Sequence, residues 1–529
     1  MDMTDTLMNT DLIIIGCGAG GLLASVTSGE LGLNCMTLER RHRVGLKLLL
    51  CGNNRCNVSH AFTTEEMLRA YGEPTASFLR PAMTRFSPQA LRNWFARNGL
   101  ATCIKNDRIY PTTEKGDDVL HCFTDRMRDL TVPLMLNCPV TGLARLPEGG
   151  FTVTCEKLTL NARCVLLATG GVSYPKTGSV GDGQRMLAEL GIDVTPLRPG
   201  LAGIDVRNPW LQFDGKCDLP QVRATVLDGQ AVIAVTEGNM LCEDGCLRGT
   251  AIFDATRQIA RHNLQSPSIT LDLCPQMGAA AVDAALSRGG LAKLGIPEPV
   301  ASALQRQLPS SQAGRWLKSI PLDIAGIRPL KEAIVTVGGV SLDEVNPETM
   351  ELRRVPGLYV IGELLDVDGP TGGFNLHAAF ATAFLAVNAI AEKLGVRRRR
   401  NPGEPSLPQV QPSRQNSSHP SRPAWQRRDN NAETAPMQAH RDHSERGKTA
   451  RSVWQRWDDS HADGDRKTSH QRWDDSRSDA PGKAQRTSHN PESGKHPNAN
   501  PRSRCDTRPG NRWDNSEFER KRTYDPRNN

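Results

Sequence analysis

The amino-acid sequence predicts an α/β fold: a Rossmann-like dinucleotide-binding domain, interrupted by an insertion and followed by a disordered C-terminal tail. Three observations predict it. A glycine-rich turn joins an apolar run to a helical stretch between Asp11 and Leu31, an α/β pattern returns near Ala333 after a segment of different character, and the composition breaks at Arg397. A chain of 529 residues has room for two or three domains.

The first element is Asp11-Leu12-Ile13-Ile14-Ile15, β-branched and too short for a globular helix, which reads as a buried strand. Gly16, Gly18 and Gly21 follow with G-x-G-x-x-G spacing, and Leu22 to Leu31 continues as a helix. Gly16 permits the tight turn, Gly18 lets the backbone approach a pyrophosphate, and Gly21 lets helix and strand pack closely. The phosphates would sit at the helix N-terminus, where unpaired N–H groups favour anions. A second strand, Cys35 to Leu38, ends in Glu39, at the distance where a carboxylate accepts from a ribose hydroxyl. The glycines alone are a weak signal; strand, helix and acid together are a specific one.

Gly45 to Asn57 is a loop rich in glycine and amide residues beside two cations. Lys47 and Arg55 could each offer positive charge to a reduced cofactor or an anionic substrate, or be solvated loop charges. Cys51 and Cys56, spaced C-x-x-x-x-C, raise the possibility of a redox-active disulfide, with Arg55 activating a thiolate. Against this, no second G-x-G-x-x-G for a nicotinamide nucleotide follows; the glycines of residues 178–183 stand in the wrong order.

Residues 61–125 read as mostly helical, with a strand or turn at Asp107 to Pro111 and a helix from Gly116 to Leu130. Tyr110 and Tyr174 are candidate proton donors or structural phenols. A buried strand, Ala162 to Leu167, ends in Ala168-Thr169-Gly170-Gly171, and a helix is predicted from Gly181 to Gly191. Between residues 197 and 330, alternating segments such as Ala231 to Val235 indicate a small β unit, with helices around Ala279–Leu286 and Glu298–Gln307.

The α/β pattern resumes at Ala333 to Val340, continues in the strand Leu358 to Ile361, and closes with a long apolar helix from Asn375 to about Leu394. In the loop before that helix Asp366 can accept from polyol hydroxyls. Gly372 and Gly373 expose N–H groups at the helix start, where they would stabilise negative charge; a plain glycine hinge is the alternative. His377, just inside the helix, is a candidate proton relay or a core histidine. No Ser-His-Asp arrangement or metal cluster is convincing.

Thirteen of the 14 cysteines lie before the tail, scattered and often within apolar runs, as buried thiols of a reducing cytoplasm are. The N-terminus has neither a basic nor an apolar leader segment, and no run approaches about 18 apolar residues, so neither a signal peptide nor a membrane span is expected. From Arg397 onward 28 Lys and Arg face 18 Asp and Glu, near +10, whereas the whole chain carries +7, so the basicity belongs to the tail. Five of the eight tryptophans lie there, in irregular repeats such as Gln455-Arg456-Trp457-Asp458-Asp459-Ser460. Arg beside Trp can stack on single-stranded bases, but the paired aspartates repel phosphate, so weak RNA or protein contact and a partnerless extension both stay open.

At this point the motifs resemble a known family, the bacterial FAD-dependent flavoproteins that include bile-acid reductases and aminoacetone oxidase-like proteins. The matching blocks are GCGAGG at Gly16, GLK…CGNNRCN at Gly45, RIYPTTEKGDDVL at Arg108, LLATGGVSYPKTGSVGDG at Leu166, VTVGGVSLDEVNPETM at Val335 and GELLDVDGPTGGFNLHAAFA at Gly362. They run in order through residues 11–395. Cys51 stands where the family usually has Ser or Thr, and Leu241 to Gly249 departs from the family segment.

The resemblance implies an FAD-binding Rossmann-like domain from residues 11–196 and 331–396, an inserted β-barrel plus helical domain at 197–330, and the tail at 397–529. It implies that Gly16, Gly18, Gly21 and Glu39 hold the ADP half, with Ala168, Thr169 and Gly170 beside it, and that Gly362, Asp366, Gly372 and Gly373 face the ribityl chain and flavin. Lys47, Gly52, Arg55, Cys56 and Asn57 would come from the second loop. Ala19, Gly20, Arg40, Glu363, Gly369, Phe374 and Asn375 would also bind the cofactor. The expected activity is hydride transfer through flavin N5, an NAD(P)H-linked reduction of a small organic substrate, with Lys47, Cys56 and His377 as catalytic candidates. A flavin amine oxidase, and a non-catalytic FAD-bound scaffold whose tail binds nucleic acid or a partner, are the alternatives.

Overall fold

A computed structural model describes residues 9–396 apart from Cys51, Asn53, Asn54, Lys157 and Asp214. The expectations for the tail, and for Cys51 as half of a disulfide, lie outside the described residues.

The first strand, β1 (Asn9–Ile15), places Leu12, Ile13 and Ile14 wholly out of solvent, as a strand covered on both faces must. It pairs in parallel with β2 (Cys35–Leu38) on one side and with Leu158–Leu167 on the other, in register Ile15↔Leu38 and Ile15↔Leu167. Helix α1 (Ala19–Leu31) crosses between β1 and β2 and ends on Gly32 in the left-handed conformation. The strand Leu158–Leu167 is long enough to serve two partners on its second edge. Its first half pairs antiparallel with Phe151–Cys155, and its last three residues pair in parallel with Leu358–Val360. The sheet is therefore mixed, with its parallel centre under the glycine turn.

The closing helix Phe374–Lys393 lies against α1. Gly20 allows that approach: a Cβ there would stand 3.2 Å from Ile361 Cδ1 and 3.3 Å from the Ala379 carbonyl. By length and hydropathy this 20-residue helix could cross a membrane, contrary to the expectation that no run is long and apolar enough. Its apolar side chains are instead core: Phe380, Leu385, Val387 and Ile390 are buried, each contributing roughly 1.5–3 kcal/mol.

Residues 204–327 build a second, seven-stranded antiparallel sheet with its own apolar cluster around Trp210, Val226, Ile252 and Leu271. Its centre is the hairpin Lys216–Asp228 and Ala231–Glu243. Its terminal strands, Ile320–Pro321 and Ile324–Ile327, are consecutive in the chain, so the two edges of the sheet come together as in a barrel. Helices Thr250–Arg261, Ala279–Gly289 and Glu298–Gln305 accompany it. The segment Ala333 to Val340 departs from expectation: its strand Val335–Val337 pairs with Arg198–Gly200 in a separate two-stranded sheet rather than joining the main one.

Candidate functional site

A cleft of about 510 Å³ starts at the β1–α1 turn and runs to the first residues of helix Thr250–Arg261 in the second sheet region. Of the three fingerprint glycines, Gly16 and Gly18 line it and Gly21 packs behind them. Gly16 has φ +97°, and a Cβ there would stand 2.6 Å from the Ala168 carbonyl. A Cβ on Gly21 would stand 2.0 Å from the Gly16 carbonyl, so Gly21 serves the helix–strand contact and does not line the cleft. A Cβ on Gly18 would meet nothing within 4 Å, leaving room for a diphosphate to approach the backbone. Glu39 closes the turn: its Oε2 accepts from the Cys17 N–H at 2.8 Å and its Oε1 from the Arg41 N–H at 2.9 Å. Burial pushes its carboxyl above the usual range against those two hydrogen bonds. Arg40 pairs with Asp182, and Ala19, Gly20, Ala168, Thr169 and Gly170 complete this wall.

At the other end the closing helix points its N-terminus into the cleft. Gly372 and Gly373, at φ +111° and +89°, line it, and side chains there would collide with His60 Cε1 at 2.3 Å and Asn57 Oδ1 at 2.8 Å. Asn57 is the most telling residue of the loop. Both its amide nitrogen and its amide oxygen are buried without a hydrogen-bond partner. A buried carboxamide left unsatisfied costs stability unless a ligand supplies a matching donor and acceptor. The edge of a flavin pyrimidine ring, with N–H beside C=O, is such a ligand. Thr169 Oγ1, in the wall beside the fingerprint, is orphaned in the same way. The glycine cradle and these orphaned groups fit FAD.

Lys47 and Glu363 both line the cleft, 2.5 Å apart. Lys47 also donates to Ser173 Oγ at 2.6 Å, and Glu363 accepts from Ser173 and from the Thr336 N–H. The lysine is therefore tied into a polar knot. Arg55 pairs with Glu114 and lies over the Tyr110 ring, 5.3 Å from its centroid, with Tyr110 also lining the cleft. Gly52, Gly362 and Asn375 line it too, the Asn375 amide bridging Gly369 N–H and C=O.

Several expectations are corrected. Asp366 does not line the cleft; its carboxylate accepts from Arg261 at 2.7 Å and Thr195 at 3.0 Å, joining the two sheet regions. His377 is fully buried; its ring contacts Ser59 Oγ and the Phe86 carbonyl, each at 3.0 Å, and burial pushes its pKa down to about 4. It is a core histidine. Cys56 is buried in the main apolar cluster and does not line the cleft. Phe374 turns away, stacking on His60 and accepting from the Tyr71 hydroxyl through its carbonyl, and Gly369 sits behind it. Tyr174 does not line the cleft either.

The structure adds residues that sequence reasoning missed: Arg43, Arg108, Leu201, Thr250, Phe253 and Thr371. Thr250 and Phe253 come from the second sheet region, and no local motif marks them. The signal that could have found Arg108 is its place two residues before Tyr110, a cation near a candidate phenol.

The family described as HI0933-like protein Rossmann domain matches residues 10–389. The 3-dehydro-bile acid delta(4,6)-reductase of Clostridium scindens is 29% identical, over 72% of this chain and 98% of its own length. The ribosomal RNA dihydrouridine synthase of Escherichia coli is 26% identical over the same shares of the two chains. Among solved structures, 3-ketosteroid-delta4-(5alpha)-dehydrogenase from Rhodococcus jostii RHA1 is similar at a TM-score of 0.45 and 16% identity, covering 74% of this chain and 98% of that one. With the family match running from the first strand into the closing helix, the chain belongs to the HI0933-like Rossmann-domain family, a family of FAD-dependent oxidoreductases.

Proposed function

We propose that this enzyme uses NADH or NADPH to reduce, through FAD, a carbon–carbon double bond conjugated to a carbonyl in a small organic molecule. The observation that carries this reading is the single continuous cleft, in which the fingerprint, the N-terminus of the closing helix and the Tyr110 phenol meet. The names of the relatives support it: a bile-acid delta(4,6)-reductase and a dihydrouridine synthase both saturate a double bond conjugated to a carbonyl.

Bound FAD supplies hydride transfer at its N5. The protein supplies orientation and charge. The Gly372 and Gly373 N–H groups, at the start of the closing helix, would favour negative charge on a flavin held there. Asn57 would offer it one donor and one acceptor. The Lys47–Glu363–Ser173 knot fixes the loop from Gly45 against the chain after Ile361. The Tyr110 hydroxyl gives a proton to the substrate carbon that receives no hydride. With no second glycine fingerprint in the sequence, the nicotinamide enters the same cleft, before the substrate.

A second reading places a uridine of RNA in the cleft, favoured by the charge split between a basic tail and an acidic remainder. The experiment is anaerobic reduction of the purified FAD-bound protein by NADH or NADPH, followed at about 450 nm. The reduced enzyme is then mixed with a 3-oxo-4-ene steroid, with a ribosomal RNA fragment, or with oxygen. Reoxidation by the enone supports the first reading and reoxidation by RNA the second. Reoxidation by oxygen alone favours an oxidase. No bleaching by either nucleotide overturns the nicotinamide link.

A further inference from the structure

Cys138 stands just before the strand Val140–Arg145, and Cys155 ends the neighbouring strand Phe151–Cys155. Both thiols are free, and their sulfur atoms lie 3.0 Å apart. A disulfide needs about 2.05 Å, so bond formation asks for a movement of roughly 1 Å along a line the side chains already share. The pair is nearly buried, at 8% and 6% exposure, but Cys138 lines the cleft. It does so at the adenosine end, where its N–H donates to the Glu39 carbonyl at 2.9 Å. A small oxidant in the cleft meets the wall that Cys138 helps to form, which Cys35, Cys122 and Cys164 do not line.

The other cysteines make the pair distinctive. Burial pushes Cys35 and Cys122 up to about 12 and Cys164 to about 11, which leaves them inert thiols. Cys138 goes the other way, held below the ordinary thiol value by its hydrogen bond to Cys155. Cys155 is raised in turn.

We propose that Cys138 and Cys155 form a reversible redox pair, oxidised to a disulfide by hydrogen peroxide, and that oxidation loosens the hold on FAD. The Cys138 thiolate attacks one peroxide oxygen; the S–O bond forms, the O–O bond breaks, and the departing hydroxide takes a proton to leave as water. The Cys155 sulfur then attacks the Cys138 sulfur; the S–S bond forms, the S–O bond breaks, and a second water leaves with the Cys155 proton. Two thiols and one peroxide give one disulfide and two waters, with two electrons passing from sulfur to oxygen. The Cys138 N–H holds the Glu39 carbonyl, so a shift of Cys138 on closing the disulfide is passed to the residue that closes the glycine turn. The loosening rests on FAD occupying this cleft; the disulfide does not.

The test uses the full-length FAD-bound protein, exposed to graded hydrogen peroxide, alkylated, digested without reductant and read by mass spectrometry. The expected result is a Cys138–Cys155 cross-linked peptide appearing before oxidation of Cys35, Cys122 or Cys164, with dithiothreitol restoring both thiols. Released-flavin fluorescence should rise several-fold faster in the oxidised protein and return on reduction. A Cys155→Ala variant should trap a dimedone-reactive sulfenic acid on Cys138 and form no cross-link. Both thiols intact while the deeply buried cysteines oxidise would overturn the pair. A cross-link with unchanged flavin release would overturn the coupling, while protein that never held FAD but still cross-links would count against the cofactor reading alone.

Discussion

Arg257, on the helix Thr250–Arg261 of the second sheet region, donates from Nε to Asp368 Oδ1 at 2.5 Å, with both side chains almost wholly buried. Its second nitrogen donates to the Asp368 and Tyr71 carbonyls, at 2.8 and 3.2 Å. Asp254, one turn earlier, accepts from the Thr371 N–H at 2.7 Å. These bonds hold the loop before the closing helix to the second sheet region. Asp368 also faces Arg261, so removing Arg257 leaves the carboxylate one cation and costs the lost charged hydrogen bonds, about 1.5–3 kcal/mol, rather than a stranded charge. Arg257→Ala should therefore lower the unfolding free energy by that order, and a paired Arg257→Met, Asp368→Leu variant should recover much of it. A loss below about 1 kcal/mol for the single variant would contradict this.

Gly18 and Gly21 should fail in opposite ways. Gly18→Val places its side chain in open space toward the cleft, so the protein should melt normally but purify with little flavin. Gly21→Ala drives a methyl into the Gly16 carbonyl, so it should lose stability first. The flavin-to-protein absorbance ratio and the melting temperature, taken together, separate the two; equal loss of both quantities in each variant would refute the distinction.

Asn57 carries two buried amide groups that no protein group satisfies. Asn57→Leu should make the FAD-free protein more stable, because no polar atoms stay stranded. The same change should weaken FAD binding by roughly 5- to 150-fold, the worth of one or two hydrogen bonds at about 1–1.5 kcal/mol each. Thermal melts with and without added FAD give both signs at once. A variant that loses stability without FAD and keeps its FAD affinity would remove Asn57 from the site.

His377 gives a pH prediction. Its folded pKa, about 4, lies below the unfolded value near 6.5. The neutral ring suits the core, so its contribution is complete above pH 6.5, falls as pH drops from there to 4, and is gone below. The slope is about 1.4 kcal/mol per pH unit, some 3 kcal/mol in all. His377→Asn should flatten the decline of unfolding free energy across that window by about one proton. An unchanged slope would show that the ring does not titrate on unfolding.

What the sequence made legible follows the range of the interactions. The β1–α1 turn was readable because Gly16, Gly18 and Gly21 answer to neighbours a few residues away, or to the ligand itself. The Asp366 reading missed because Thr195 and Arg261, which bind its carboxylate, come from distant segments. His377 looked catalytic only while its partners, Ser59 and the Phe86 carbonyl, were unknown. Lys47 and Glu363 were each found singly, but nothing local said that they meet. Phe253 and Thr250 were missed because a wall built by an inserted segment has no signature of its own.

The shared edge of the strand Leu158–Leu167 also sets a timetable. Its hairpin partner Phe151–Cys155 is made just before it, and that ladder can close at once. Its other partner, paired as Val165↔Leu358, emerges from the ribosome only after the entire second sheet region. The cleft wall formed by Gly372, Gly373 and the closing helix comes later still. Loading with FAD thus waits for the closing helix, and a nascent chain stalled before Leu358 carries a glycine fingerprint but no complete place to hold a flavin.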